Sequence, residues 1–212
     1  LQGLTNGFAI VAAQSFGSGK TERLRKAAAG TLLLGTLTTL AITVLALAGL
    51  EGFLKILNVP ETLYAEAKGY IQIVLAGMMV TMLYNACAGI LRAVGDTVAP
   101  LLFLMCAALL NVGLDILFMA VVPLGVQGAA LGTVLAQLVS VVLSIGYMWK
   151  KYPVFHLKRK DFRIGKAMIK QMYSSGLSMG MMMSLVFFGT LALQCAINTF
   201  GNDTIVAHTA AR

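Results

Sequence analysis

The sequence contains little charge: Asp, Glu, Lys and Arg make up 11% of its 212 residues, against about 25% in soluble domains. Apolar residues make up 58% and the mean hydropathy is +0.85, which excludes an ordinary water-soluble domain. Three cysteines, Cys87, Cys106 and Cys195, stand singly in apolar runs, so neither a disulfide framework nor a cysteine metal site is indicated. The two histidines, His156 and His208, form no ligand pattern.

Long apolar blocks separate the few charged stretches. The blocks are 1–19, 27–50, 69–91, 97–149 and 171–202, and together they contain one acidic or basic side chain, Asp115. A helix needs about 20 apolar residues to cross about 30 Å of hydrocarbon, so each of the middle blocks predicts at least one spanning helix. The 97–149 block is too long for one helix, and Pro123 near its middle predicts two, at about 98–122 and 126–149. The sequence therefore predicts an all-α, polytopic transmembrane helical bundle.

The first segment, 1–16, is short for a complete crossing, and the chain begins with Leu rather than Met. It has no basic region at its start, so it does not fit a signal peptide. We expect this segment to be the tail of a helix whose beginning lies outside the sequence.

The basic residues are concentrated in alternate loops. Thirteen of the sixteen Lys and Arg residues lie in 17–26, 92–97 and 150–170, and the positive-inside rule assigns these loops to the cytoplasm. The cytoplasmic loops of a multi-pass protein in the lipid bilayer of the cell membrane therefore account for the net charge of +8. The basic charge gives no reason to expect a nucleic acid as a partner. Because 150–170 is the longest polar stretch and contains Pro153, it is predicted to join two bundles.

Small residues recur at a spacing of four along several predicted helices. Examples are Gly3 with Gly7 and Gly128 with Gly132. Since close approach of small residues contributes to helix association in lipid, these pairs predict packing faces rather than ligand sites.

Asp115 is the one acid within the apolar blocks. Burying an acid in the membrane costs free energy, so such a residue indicates a functional site with a partner side chain. Asn111 lies four residues earlier, on the same helix face. Thr133 and Gln137 share one face of the next helix, and if Pro123 begins an antiparallel hairpin, Thr133 stands at nearly the depth of Asp115. The sequence thus predicts a polar cluster of Asn111, Asp115 and Thr133. Two structural alternatives remain: Asp115 bonds a neighbouring helix, or Thr133 and Gln137 make bonds between helices.

Four stretches with a characteristic order and spacing run through nearly the whole chain. They are 11–19 (VAAQSFGSG), 89–97 (GILRAVGDT) followed by Pro100, 111–115 (NVGLD) and 125–133 (GVQGAALGT). In this combination the sequence resembles the multidrug and toxic compound extrusion (MATE) family of secondary transporters. The resemblance implies helices two to seven of twelve, so that the chain holds most of one six-helix lobe and the first helix of a second. The implied divisions are 1–149 as the N-lobe without its first helix, 150–170 as the cytoplasmic interlobe linker and 171–212 as the start of the C-lobe.

The resemblance also implies an activity. It implies no enzyme and no cofactor, but an antiporter that exports amphipathic, mostly cationic organic compounds while protons or sodium ions enter, and that works as a monomer of the full-length chain. The residues that match the family's ion-coupling cluster are Asn111, Asp115 and Thr133, and its other N-lobe acid belongs to the helix that this sequence lacks. No acid occurs within 171–202, where Gln194 is a polar candidate, and this favours protons or a sodium ion at Asp115.

Four polar residues are candidates for the lining of a substrate cavity. They are Tyr70, Asn85, Gln137 and Gln194. For Tyr70 the alternative is an interfacial anchor, and for Asn85 it is a bond between helices.

Three other functions are alternatives to export. A lipid-linked oligosaccharide flippase of the same superfamily would be expected to line its cavity with several cationic side chains, and none occurs within the predicted spans. A non-transporting membrane scaffold would not need Asp115. An intramembrane enzyme would need a second acid, a histidine pair or a nucleophile beside a base, and the apolar blocks offer none of these.

Overall fold

The computed structural model describes residues 1–56, 61–122 and 125–198, and these residues fold into helices joined by short irregular segments. The α-helices within these ranges are α1 (Gln2–Gly17), α2 (Thr21–Ile56), α3 (Glu61–Ala93), α4 (Val98–Ile116), α5 (Gly125–Lys151) and α6 (Lys166–Asn198). Five of them, α2 to α6, are long and apolar enough to cross a membrane. The prediction of an all-α, polytopic membrane bundle is confirmed.

Two helices begin earlier than the hydropathy pattern predicted. α2 begins at Thr21 and α6 at Lys166, whereas the apolar blocks begin at 27 and 171. Lys and Arg are good helix formers, so these helices continue through their basic flanks into the headgroup region. The predicted span at 98–122 ends as helix α4 at Ile116 and then continues as one π-helical turn, Leu117–Val121. Pro123, the predicted break before α5, lies outside the described residues.

All three basic loops meet at one end of the bundle, here called the basic end. α2 and α6 begin there, and α3 and α5 end there. As Pro153 predicted, α5 stops before it at Lys151, and the linker continues as two 3-10 turns, Pro153–Phe155 and Arg159–Phe162. Phe155 packs into the core of the basic end with buried residues of α1, α2, α3 and α6, among them Phe8, Leu24, Ile90 and Met172.

The glycines of α1 form a close contact with α6. A Cβ atom on Gly7 would stand 2.4 Å from the Cα of Gly176, and one on Gly3 would stand 2.8 Å from the Cα of Gly180. Two Gly-xxx-Gly stretches therefore cross, and the predicted packing role of Gly3 and Gly7 is confirmed. α1 also contacts α2 and α3. That α6 opens a second lobe remains a prediction.

The helices α3, α5 and α4 form a row beside α1, α2 and α6. α3 packs on α5, and α5 packs on α4. Most of the surface of α4 is exposed and apolar, with Leu101, Leu109 and Ile116 each more than half exposed. Such a face suits contact with lipid or with other membrane helices.

Candidate functional site

Asp115 and Asn111 lie on the same face of α4, as their spacing predicted. The side-chain amide of Asn111 donates from Nδ2 to Oδ1 of Asp115 at 3.2 Å. Both side chains are half-buried. Asp115 stands seventeen residues from the start of α4 at Val98, about 25 Å from the basic end at 1.5 Å per residue. The carboxyl group therefore lies within the membrane-spanning part of the helix, in the half away from the basic end.

Thr133 of α5 completes the cluster. The same Asn111 amide donates to Oγ1 of Thr133 at 3.3 Å, and the Thr133 hydroxyl donates in turn to the carbonyl oxygen of Ala129 at 3.0 Å. Asn111 thus bridges Asp115 and Thr133, which share no direct hydrogen bond in the described structure. The fold thus brings together the three residues that the sequence predicted to form one cluster.

Gly132 allows α5 to approach the carboxyl group. A Cβ atom at Gly132 would stand 2.6 Å from Oδ1 of Asp115 and 3.4 Å from Cβ of Leu114. Gly132 was predicted to lie on a packing face, without a connection to Asp115. The one available signal was its position directly before Thr133.

The second oxygen of Asp115, Oδ2, has no hydrogen-bond donor among the described residues, and no Lys or Arg of those residues forms an ion pair with the carboxylate. An intramembrane carboxylate with one oxygen held and one oxygen open can take up a proton or a small cation there.

Gln137 has a different partner. The hydroxyl of Thr81 on α3 donates to Oε1 of Gln137, so this residue ties α5 to α3. This contact favours the alternative of a bond between helices. Thr81 was not identified from the sequence, because a single threonine in an apolar span carries no distinctive pattern.

The other candidates for the cavity lining do not form one group. Tyr70 is 38% exposed on α3, and Asn85 is half-buried on the same helix, fifteen residues and about 22 Å further along. Gln194 lies on α6, near the end of that helix away from the linker.

A cavity of about 460 Å³ lies between α1, α2 and α6. Its wall is mostly apolar, with Leu4, Met181 and Phe188, and the hydroxyl-bearing Thr38 and Ser184 add polar groups. This volume falls in the range of small-molecule sites. None of Asn111, Asp115 and Thr133 belongs to the lining.

The three cysteines are free: Cys87 is buried, and Cys106 and Cys195 are exposed. His156 stacks on Trp149 with ring centroids 4.2 Å apart, and His208 lies outside the described residues. Among the residues that the structure describes, no three His, Cys, Asp or Glu side chains are grouped as metal ligands.

Asp96 is the centre of a hydrogen-bonded cluster at the basic end that sequence reasoning missed. Its Oδ2 accepts from the hydroxyls of Tyr147 and Tyr152, each at 2.8 Å, and from Nζ of Lys151 at 3.0 Å. Burial favours the neutral carboxyl group, but the bonds from Lys151, Tyr147 and Tyr152 outweigh it and hold the pKa of Asp96 well below its usual range. The cluster attaches the loop between α3 and α4 to the end of α5.

Asp161 attaches the linker to α2 in a similar way. Its Oδ2 accepts from the backbone N–H of Lys158 at 2.7 Å and from Arg25 at 2.9 Å, and the residue is buried. The bond from Lys158 and the charge of Arg25 lower the pKa of Asp161, against the opposing effect of burial. The linker is therefore an ordered cover on the basic end.

Comparison with known protein families gives one match over more than half of the chain. A sequence profile of the MatE family matches residues 1–117. These residues include α1 to α4, with Asn111 and Asp115.

Individual relatives extend the likeness. The chain is 31% identical over 156 residues to "Probable multidrug resistance protein YpnP" of Bacillus subtilis (strain 168), covering 73% of this chain and 34% of that protein. It is 29% identical over 216 residues to "Probable multidrug resistance protein YoeA" of the same strain, covering 97% of this chain and 46% of that protein. The chain thus spans between about a third and a half of the length of these relatives.

Solved structures agree with the fold. The inward-facing conformation of a multidrug resistance MATE family transporter of the MOP superfamily superposes with a TM-score of 0.77 at 25% identity, over 83% of this chain and 40% of that one.

Proposed function

Because the chain belongs to the MatE family, we propose that the whole protein is an antiporter that exports amphipathic, mostly cationic organic compounds in exchange for protons. Asp115 is the proposed coupling residue, and Asn111 and Thr133 are its positioning partners. The observation that carries the proposal is the carboxylate within the membrane span, with Oδ1 bound to Asn111 and no donor to Oδ2 among the residues that the structure describes.

The exchange follows from competition for one negative charge. While Asp115 is ionised, it attracts an organic cation. A proton on Oδ2 removes that charge and turns the oxygen into a donor, so the bound cation loses its attraction and the surrounding bonds rearrange. Proton entry is favoured by about 2.3 kcal/mol per 100 mV of membrane potential, which supports export against a gradient of the compound.

The orientation of Asn111 favours a proton over sodium as the coupling ion. Hard cations bind oxygen ligands, whereas Asn111 directs Nδ2 towards both Asp115 and Thr133. A sodium ion at Oδ2 would need further oxygen ligands, and Asn111 could supply its oxygen only if this amide turned. Coupling to sodium is the alternative, and the export experiment below distinguishes it from coupling to protons.

The cavity between α1, α2 and α6 does not include Asp115, so it is not the site of that competition, but its wall is suited to an amphipathic organic compound. Its wall combines large apolar side chains, including Met181 and Phe188, with the hydroxyls of Thr38 and Ser184. Flexible methionine side chains adapt to ligands of different shape. The names of the Bacillus subtilis relatives also describe multidrug resistance.

The test is export of a fluorescent organic cation by the complete protein in lipid vesicles. A pH gradient and a sodium gradient are imposed separately on wild type and on Asp115→Asn. We expect the pH gradient to drive export by wild type. The export rate of the variant should be at least about tenfold lower, since the neutral amide can neither ionise nor take up a proton.

Glu22→Gln is the matched control. It makes the same change from carboxylate to amide at an exposed residue of the basic end, where Glu22 pairs with Lys26 at 2.8 Å, and it should leave export unchanged. Thermal unfolding checks that both variants fold. Export by Asp115→Asn at the wild-type rate would reject the role of Asp115. Export driven by the sodium gradient alone would reject the proton as the coupling ion.

A further inference from the structure

A second cavity of about 290 Å³, here called the linker slot, lies between α2, α3 and α5 beneath the linker that follows α5. All eleven residues that line it are apolar, so it is unsuited to a polar solute. Ala28, Cys87 and Ile90 form its buried inner wall, and Ile145, Trp149 and Phe162 at its mouth are at least 40% exposed. The linker slot therefore opens onto the apolar outer surface of the bundle.

The depth of the linker slot matches one leaflet of a membrane. On α2 it extends to Leu32, eleven residues from the start of the helix at Thr21, and on α3 to Leu83, ten residues before the end at Ala93. At 1.5 Å per residue these deepest residues stand about 15 Å from the helix ends, which is half of the hydrocarbon thickness of about 30 Å. The lining on α3 runs from Leu83 to Ile90, about 10 Å, so the slot fits part of one acyl chain rather than a whole lipid.

Positive charge is concentrated beside the mouth of the linker slot. Leu157 and Phe162 line the slot, and the residues around them in the linker include the exposed Lys158, Arg159, Lys160 and Arg163. Asp161 is the single acid of 150–170, and it is buried and paired with Arg25 at 2.9 Å. Within the described ranges no carboxylate forms an ion pair with Arg159, Lys160 or Arg163.

We propose that the linker slot binds one acyl chain of an anionic phospholipid, whose headgroup is held by Arg159, Lys160 and Arg163. An acyl chain fills an apolar slot that opens into the hydrocarbon, and the unpaired cations select a negative headgroup at the level where the linker lies. Each Lys or Arg near an anionic lipid surface contributes a factor of about five in affinity. The site is separate from Asp115, which lies about 25 Å from the basic end.

Trp149 is a reporter at the mouth of the slot, and it is the one tryptophan of these 212 residues. Its ring packs against His156 with centroids 4.2 Å apart and an interplanar angle of 36°. The complete protein in detergent is titrated with brominated phosphatidylglycerol or brominated phosphatidylcholine, and the quenching of Trp149 is isolated by subtracting the signal of Trp149→Phe. We expect phosphatidylglycerol to quench at a concentration at least about fivefold lower than phosphatidylcholine.

Two pairs of variants test the two parts of the site. The triple change Arg159→Gln, Lys160→Gln and Arg163→Gln should abolish the preference for phosphatidylglycerol, whereas Lys20→Gln, Lys166→Gln and Lys170→Gln, which removes the same charge elsewhere at the basic end, should retain it. Ile145→Phe should fill the slot and reduce quenching by both lipids. Val142→Phe, at a 62% exposed position of α5 outside the slot, should not.

The outcomes decide the proposal. Equal quenching of wild type by the two lipids, or equal loss of preference in both triple variants, would show that no specific headgroup contact exists. Unchanged quenching of Ile145→Phe would show that the acyl chain does not enter the slot. Either result would overturn the assignment.

Discussion

Oδ1 of Asp115 lies against the backbone of Gly132, 2.6 Å from the position that a Cβ atom would take there. The carboxyl group of α4 therefore occupies space that α5 leaves open by carrying a glycine. This contact explains how a half-buried acid and the Asn111–Thr133 bridge fit between two closely packed helices.

Gly132→Ala should impair export without unfolding the protein. The added methyl group displaces the flexible Asp115 side chain, which breaks its 3.2 Å bond to Asn111, while the helix gains about 0.5–1 kcal/mol from replacing glycine. We expect the export rate of the complete protein to fall at least about tenfold and the unfolding midpoint to change little. Gly113→Ala on α4, where a Cβ atom meets nothing within 4 Å, is the control, and equal rates for the two variants would contradict the prediction.

The crossing of α1 and α6 gives a test of stability. Gly7→Ala places a methyl group 2.4 Å from the Cα of Gly176, and since backbone cannot rotate aside, the two helices must separate. We expect a loss of roughly 1–3 kcal/mol in the free energy of unfolding, measured by denaturant titration in detergent micelles. At Gly180, one turn further along α6, a Cβ atom meets nothing within 4 Å, so Gly180→Ala should be neutral or stabilising. Similar losses in both variants would indicate that the close contact is not what matters.

The cluster at Asp115 was predictable because its geometry is local. The spacing of Asn111 and Asp115 fixes their common face on one helix, and counting from Pro123 gives the depth of Thr133 on the next. The helix ends were less predictable, because Thr21 and Lys166 begin helices within polar flanks that hydropathy alone assigns to loops.

Contacts between distant segments could not be predicted from spacing. The bond from Thr81 to Gln137 depends on how α3 and α5 are rotated relative to each other. The bonds from Tyr147 and Tyr152 to Asp96 join residues more than fifty positions apart. Nothing in the local pattern fixes such rotations, which result from the packing of the whole bundle.

The Thr81–Gln137 bond should contribute to stability rather than to substrate choice. In a double-mutant cycle with Thr81→Ala and Gln137→Ala, we expect a coupling free energy of about 0.6–1.7 kcal/mol, because each single change already removes the bond. The relative export rates of several organic cations should stay the same in Gln137→Ala. Additive stability losses, or a changed order of substrates, would instead support Gln137 as a residue of the cavity lining.

The Asp96 cluster predicts a pH dependence of stability. Its pKa is lowered in the folded protein, so its contribution is fully present above the unfolded pKa of about 3.9 and is lost as the pH falls towards the folded value. At pH 7, Asp96→Asn should lower the unfolding midpoint by at least roughly 2 °C, and the difference from wild type should stay constant down to about pH 5 and shrink below about pH 4. Tyr147→Phe removes one of the donors to Oδ2, which raises the folded pKa, so in this background the contribution at pH 7 should be smaller and its loss on acidification should be complete at a higher pH. Differential scanning fluorimetry across this pH range makes the measurement, and a difference that persists unchanged to pH 3 would show that Asp96 is not held ionised by these bonds.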